Sequence, residues 1–326
     1  MGANITGTGH YVPTRVLGND DLERMVNTSD AWIVRRTGIR TRHILSEEEI
    51  PADMAVHAAR RAMDAAGVEP AAIDLLLVAT NFPDMPCPGT SPFVASGIGL
   101  GVGVPFFDLS AGCSGFVYGL AIADALVTAG AFSNVLLIGS EALSRVVDWT
   151  DRKTCVLFGD GAGAVMLTAG SDGRGVLSTA LHGDHEKAQL LCVPGGGTRH
   201  PASTQTVDAR LHYLRMEGAG VYRSAVPMMA NAVHEALERA GLEISDADWI
   251  IPHQANQRII DSLVKRLGVP DASVIVNLDR VANTSTASIP IALDEAVRSG
   301  RVAPGDIVVL TAFGAGASYG AAVVRL

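Results

Sequence analysis

The sequence predicts an α/β fold built from two related halves, and three observations carry that prediction. The first is an internal repeat. Ala62-Met-Asp-Ala-Ala66-Gly67-Val-Glu69, followed by Asp74-Leu-Leu-Leu77, recurs 174 positions later as Ala236-Leu-Glu-Arg-Ala240-Gly241-Leu-Glu243, followed by Asp248-Trp-Ile-Ile251. Each copy reads as a helix stopped by a glycine cap and then a buried strand. The second is that two further pairs follow in the same order. Asp108-Leu-Ser-Ala-Gly112-Cys113 ahead of a helix at 119–126 is answered by Asp279-Arg-Val-Ala-Asn283-Thr284 ahead of a helix at 291–297, and 159–167 resembles 314–324. One match between Ala/Gly-rich segments would be chance; three in one order point to duplication. The third is a set of near-continuous apolar runs at 75–78, 135–138 and 307–310, which suit strands with helices on both faces. The expected halves are residues 1–170 and 171–326.

Composition narrows the function. Hydrophobic residues make up 48% of the 326 and charged residues 18%, which suits a large core and excludes a disordered chain. The 35 glycines and 5% aromatics fit elements that approach closely. A net charge of −9 argues against a nucleic-acid partner, which needs a basic face. No apolar run reaches about 18 residues, so no membrane span is expected, and the N-terminus lacks a signal-peptide pattern. Cys87, Cys113, Cys155 and Cys192 show no CxxC pairing, which points to reduced thiols in a cytoplasm. No metal site is expected, because His182-Gly-Asp-His185 has no third ligand at suitable spacing.

Open α/β sheets place their sites beyond the carboxyl ends of strands. The repeated elements put three loops there, holding Cys113, His253 and Asn283. Cys113 follows an apolar strand at 104–109 and precedes a helix whose dipole favours thiolate. Ala111, Gly112, Ser114 and Gly115 permit a sharp turn and close substrate approach. Local context leaves two readings of Cys113 open, a nucleophile and a small buried hydrophobe; Cys155 and Cys192 fit the second. His253 follows the strand that ends at Pro252, at a loop or helix N-terminus that keeps imidazole neutral and able to donate one hydrogen bond. A structural histidine is the other reading. Asn283 takes the slot of Gly112 in the repeat, where a helix N-cap is the alternative to a site role. Together the halves bring a cysteine from one side against a histidine and an asparagine from the other.

At these residues the sequence resembles the β-ketoacyl-acyl-carrier-protein synthase III family, in the thiolase-like superfamily. The resemblance spans the chain from Ile5 onward. Its specific stretches are Thr28-Ser-Asp-Ala-Trp32-Ile-Val-Arg-Arg36-Thr-Gly-Ile-Arg40, Gly112-Cys113-Ser-Gly115, Phe158-Gly-Asp-Gly-Ala-Gly163, His253-Gln-Ala-Asn256, Asn283-Thr-Ser-Thr-Ala-Ser288 and Ala312-Phe-Gly-Ala-Gly316. It implies a five-layered αβαβα fold and a homodimer. It implies no cofactor, since acyl-CoA is a substrate. Cys113 takes the acyl group, CoA leaves, and malonyl-acyl-carrier protein then enters and loses CO2. His253 and Asn283 stabilise the enolate as its charge develops. Phe313 packs beside the malonyl carboxylate, and the backbone N–H groups of Cys113 and Ala315 hold the acyl oxyanion, Ala315 standing where the family often has glycine. A plain thiolase is disfavoured, because 313–320 has no second cysteine.

The resemblance further implies a CoA tunnel at Thr28, Trp32, Arg36, Arg152, Tyr222 and Asn256, with Trp32 and Arg152 sandwiching the adenine. Arg258 belongs both to this tunnel and, with Arg223, Lys265 and Arg266, to a basic patch that steers the acidic carrier protein; a solvated helix face is the alternative. Cys87 aligns where the family often places a phenylalanine at the floor of the acyl pocket, reached across the dimer interface. A smaller side chain there implies starters longer than acetyl. An initiating synthase of type II fatty-acid synthesis and a starter or acyl-transferring synthase of a polyketide or quinolone pathway share these motifs.

Overall fold

The computed structural model describes residues 2–326, among which, beside two short two-stranded sheets, two large ones form the body. The first is formed by β1 (Gly2–Tyr11), β2 (Leu75–Ala79), β3 (Phe106–Leu109), β4 (Asn134–Ala142) and β5 (Asp160–Gly170), in the order β1-β5-β4-β2-β3. The second is formed by β6 (Gly175–Gly183), β7 (Trp249–Pro252), β8 (Ile307–Phe313) and β9 (Ser318–Arg325), in the order β7-β8-β9-β6. Strand pairing follows one scheme in both. β2 runs parallel to β4 as β7 does to β8, and β5 is antiparallel to both its neighbours, as is β9. The first sheet has an extra edge, β3, parallel to β2. In the second sheet the corresponding contact is a single parallel bridge from Ile250 to Val274.

The strands are apolar on both faces because helices cover both. All five residues of β2 and all seven of β8 are buried. Helices α2 (Pro51–Ala66) and α3 (Ser91–Ile98) cover the outside of the first sheet, where Met54, Ala58, Ala62 and Val94 meet Leu76, Val78 and Ile138. Helices α5 (Gly218–Ala240) and α6 (Gln257–Leu267) cover the outside of the second, through Met229, Val233, Ile260 and Leu263. Between the sheets lie α4 (Gly115–Thr128) and α7 (Ser288–Arg298). Their Phe116, Leu120, Ile289 and Leu293 share one core with Leu137 and Val165 of the first sheet and Val308 and Leu310 of the second. The layers therefore read helix, sheet, helix, sheet, helix. The glycine stops expected at Gly67 and Gly241 are left-handed caps, with φ of 63° and 70°.

The apolar strand ahead of Cys113 is shorter than the predicted 104–109. Only Phe106–Leu109 is paired, and it lies at the edge of its sheet with Phe106 and Phe107 exposed at 45% and 42%. The apolar character belongs to an open edge face, not to a doubly covered strand.

Candidate active site

The two central helices and the loops that precede them build the site. Cys113 lies two residues ahead of α4, behind Gly112 at φ +57°, a conformation that glycine adopts without the Cβ penalty. The missing side chain also matters, because a Cβ on Gly112 would strike the backbone nitrogen of Ala315, and one on Gly314 would strike that of Cys113. Two loops from opposite halves thus lie backbone to backbone.

His253 follows β7, and its N–H donates to the Thr311 carbonyl at 2.7 Å. Gln254 ties the loop down, donating to the carbonyls of Pro252 and Ile275 and accepting from Asn277 N. The ring Nδ1 meets Ser288 Oγ at 2.7 Å, which leaves Nε2 as the ring atom offered to the cavity. Asn283 is strapped to the other half: its N–H donates to the Leu157 carbonyl at 3.0 Å and its carbonyl accepts from Gly159 N at 3.1 Å. Its Oδ1 accepts from Ser285 N at 2.9 Å, so the amide has its NH2 donors to give. The backbone is bent on both sides, with Ala282 and Ser285 at φ of 63° and 52°. Such strain persists only where the surroundings enforce it.

These side chains meet in one cavity of about 490 Å³. Cys113, His253, Asn283 and Phe313 line its buried end, and Trp32, Arg36, Tyr222 and Arg258 line its exposed end. A smaller apolar pocket of about 90 Å³ opens beside Cys113, between Phe82, Leu143, Phe158, Leu191 and Leu214. Asn256 caps α6 and donates to the Arg36 carbonyl at 3.3 Å. Thr28 Oγ1 is buried and has no hydrogen-bond partner among the described residues. Thr28 and Arg152 do not line the cavity itself. The sandwich expected of Trp32 and Arg152 is closed: the guanidinium rests on the indole, 4.8 Å from its centroid, and donates to the Asn27 carbonyl at 2.7 Å. A base enters between them only if the guanidinium swings aside. Cys87 is exposed and lines neither cavity within the chain. Arg258, Lys265 and Arg266 are exposed on α6, and Arg223 beside them pairs with Glu217 at 3.8 Å, a solvated contact of little energetic weight.

Burial dominates the electrostatics. It pushes the Cys113 thiol up to about 11; a hydrogen bond from Ser285 opposes the rise and the nearby Glu141 charge adds to it. The helix dipole expected to favour thiolate is outweighed, since removing a charge from water costs more than one helix end returns. Burial also carries His253 down to about 3, so its neutrality comes from exclusion of water and not from a helix N-terminus, α6 starting four residues later. Ser288, Ser285 and Glu141 escaped sequence reasoning. The serines lie inside the Asn283–Ser288 motif, and Glu141 is a lone carboxylate closing an apolar strand, which is the signal that could have marked it.

A cysteine, a neutral histidine and an asparagine at the buried end of a tunnel, on two sheets sharing a central helical layer, define a condensing enzyme of the thiolase-like class. Family models described as 3-oxoacyl-[acyl-carrier-protein] synthase III and its C-terminal region match residues 107–185 and 237–326. A β-ketoacyl-[acyl-carrier-protein] synthase III of Symbiobacterium thermophilum is 51% identical over 98% of this chain and 97% of its own. One of Desulfitobacterium hafniense is 49% identical over 100% and 98%. The crystal structure of 3-oxoacyl-[acyl-carrier-protein] synthase III from Aquifex aeolicus superposes with a TM-score of 0.92 at 43% identity, covering 100% of both chains. The chain belongs to the β-ketoacyl-[acyl-carrier-protein] synthase III family, and it is a condensing acyltransferase with that family's thiolase-like fold.

The depressed His253 has a consequence for stability. The unfolded chain takes up a proton on this side chain below about 6.5, whereas the folded chain resists it down to about 3. The unfolded state therefore binds more protons in that window, and stability falls as pH drops through it. Thermal melting from pH 7.5 to 4 is expected to lower the wild-type midpoint more than that of His253→Gln; parallel curves would refute this.

Proposed function

We propose that this chain initiates fatty-acid synthesis by condensing an acyl-CoA starter with malonyl-acyl-carrier protein, Cys113 carrying the acyl group. The observation that supports this most is the convergence of Cys113, His253, Asn283 and Phe313 at the buried end of a tunnel with a Trp- and Arg-lined mouth. In the first half-reaction the Cys113 sulfur attacks the acyl-CoA carbonyl. The oxyanion faces the N–H groups of Cys113 and Ala315, and CoA leaves as thiolate. In the second, malonyl thioester loses CO2, and the enolate oxygen receives hydrogen bonds from His253 Nε2 and Asn283 Nδ2. A histidine held neutral donates without adding a buried positive charge, and preorganised donors in a dry site act on developing charge at full strength. Phe313 offers the malonyl carboxylate an apolar wall, which favours its departure as neutral CO2. The enolate carbon then attacks the Cys113 thioester and releases 3-oxoacyl-acyl-carrier protein. The reaction uses no cofactor.

CoA would lie along Thr28, Trp32, Arg36, Arg152, Tyr222, Asn256 and Arg258, with the unpartnered Thr28 hydroxyl available to the nucleotide. Arg223, Arg258, Lys265 and Arg266 would meet the acidic carrier protein near the tunnel mouth, a local attraction on a chain of net charge −9. A homodimer is the fitting assembly. The edge strand β3 exposes two phenylalanines beside unpaired backbone groups, a combination that free edges avoid. Across that edge Cys87 would reach the partner's acyl pocket. The halves 1–170 and 171–326 are read as a duplication, which the matching strand orders support. Four unpaired cysteines suit the cytoplasm, and no helix among the described residues is long and apolar enough to cross a membrane.

Intact mass after mixing with acyl-CoA should show one acyl group on wild type and none on Cys113→Ala. His253→Ala should still acylate but fail to decarboxylate malonyl thioester, and equal loss of both steps would argue against the division of roles. Butyryl- to octanoyl-CoA should label the wild type, while Cys87→Phe should confine labelling to shorter chains; a wild type that takes acetyl-CoA alone would end the long-pocket reading. Light scattering should give two chains for wild type and one for Phe106→Glu combined with Phe107→Glu.

A further inference from the structure

Among the described residues Glu141 is the one buried carboxylate linked to the nucleophile, through Ser285, and the condensation steps leave it idle. It closes β4 with no exposed surface. Among the described residues no lysine, arginine or histidine forms an ion pair with it. What faces it is neutral. Oε1 accepts from Asn81 N at 3.1 Å and Asn81 Nδ2 at 2.5 Å, and meets Ser285 Oγ at 3.1 Å and Thr286 Oγ1 at 3.3 Å; Oε2 meets Thr80 Oγ1 at 3.5 Å. Beyond Ser285 stands the Cys113 thiol, with its sulfur 3.4 Å from Ser285 Oγ. The other titratable group at this end of the cavity is His253. Ser285 has one hydroxyl proton and two possible acceptors. While Glu141 is ionised, the proton points to the carboxylate and the hydroxyl lone pairs face the thiol S–H. Once Glu141 is protonated, the hydroxyl turns its proton to the sulfur.

We propose that Glu141, acting through Ser285, is a positioning residue that takes the Cys113 proton during acylation and stores it until condensation returns it. The inference rests on Cys113 as the acyl carrier. As the sulfur attacks the acyl carbonyl, the thiol proton passes to Ser285 Oγ and the Ser285 proton passes to Glu141 Oε1. The new C–S bond replaces the bond to CoA, which leaves as thiolate and is protonated by solvent. In the second half-reaction the negative charge of the malonyl carboxylate, left on the enolate after CO2 departs, ends on the Cys113 sulfur when its thioester bond breaks. The stored proton then returns from Glu141 through Ser285, which restores the thiol and the carboxylate. One proton is consumed per turnover, on CoA.

Charge conservation inside the cavity favours this route. Transfer to Glu141 moves one negative charge from carboxylate to sulfur and creates no new buried charge. Transfer to His253 would create a separated ion pair where burial opposes both ions, and His253 is already carried down to about 3. Burial also raises Glu141 to about 7, against opposing hydrogen bonds from Asn81, Ser285 and Thr286, which narrows its distance from the thiol. Ser285 is held at φ +52° by the Asn283 amide, a strained conformation that sets its hydroxyl between the two groups.

The test is the pH profile of single-turnover acylation by acetyl-CoA, followed by rapid quench and intact mass from pH 5.5 to 9.5, for wild type, Glu141→Gln and Ser285→Ala. Wild-type acylation should rise through about 7 as Glu141 ionises. Both variants should lose that rise and run about a hundredfold slower at pH 7.5, the low end of what a positioned proton acceptor contributes. Their deficit should shrink toward pH 9.5, where hydroxide deprotonates the thiol directly. A folded variant whose rate follows the wild-type pH dependence, at any level, would overturn the proposal. Ser285→Ala keeps the carboxylate and cuts only the relay, so it decides the matter if Glu141→Gln does not fold. Acetyl uptake by Cys113→Ala would instead sink the nucleophile assignment, and lack of uptake there with unchanged profiles in the two variants would sink the relay alone.

Discussion

The close backbone contact between the Gly112-Cys113 turn and the Gly314-Ala315 turn is the constraint on which the site depends. Neither turn tolerates a Cβ, because each glycine faces a backbone nitrogen of the opposite loop. The same economy recurs behind the site, where a Cβ on Gly139 would lie 2.5 Å from the Thr286 carbonyl oxygen and one on Gly163 2.7 Å from Ile291 N. The central helices therefore sit hard against the strands, and loops 204 residues apart in sequence end within hydrogen-bond reach, as Ser114 Oγ and Ser318 Oγ do at 2.8 Å. Closeness of this kind excludes water, and exclusion of water sets the chemistry.

Burial acts on every titratable group at the inner end of the tunnel, and in each case it favours the neutral form. The thiol keeps its proton, the histidine stays unprotonated and the carboxylate moves toward protonation. A site of this character binds uncharged acyl chains well and carries at most the one negative charge of Glu141. Its reactivity then depends on moving one negative charge along a short path without adding another, from carboxylate to sulfur or from malonyl to enolate to sulfur.

Much of this was legible in the sequence, for a physical reason. Cys113 and His253 each follow a strand end, and strand ends are written in local apolar runs and their stops; Asn283, expected at a strand end too, follows a helical turn at Leu278–Val281 instead, and only the internal repeat pointed to it. The partners that tune them are not local. Ser288 reaches His253 across 35 positions, and Ser285 reaches Glu141 across 144; no spacing in the chain announces such pairs. The helix dipole at Cys113 is overridden for a related reason. A helix start is visible in sequence, whereas the depth at which it lies, which decides the thiol, is a property of the packed layers. The same holds for Trp32 and Arg152, whose residue types suggested a gap for a base and whose geometry gives direct contact.

The two sheets differ in one respect that bears on what their edges present. A chain that repeated its pattern in full would present one sticky edge per half, and two such edges on one molecule would let copies join end on end into open filaments. Here the second half keeps only the Ile250–Val274 bridge where the first carries β3 and its two exposed phenylalanines. The second half therefore has no counterpart of the exposed Phe106–Leu109 edge. The loss of one strand in the second half thus leaves the chain with one such apolar edge strand instead of two, an asymmetry that a full repeat would lack.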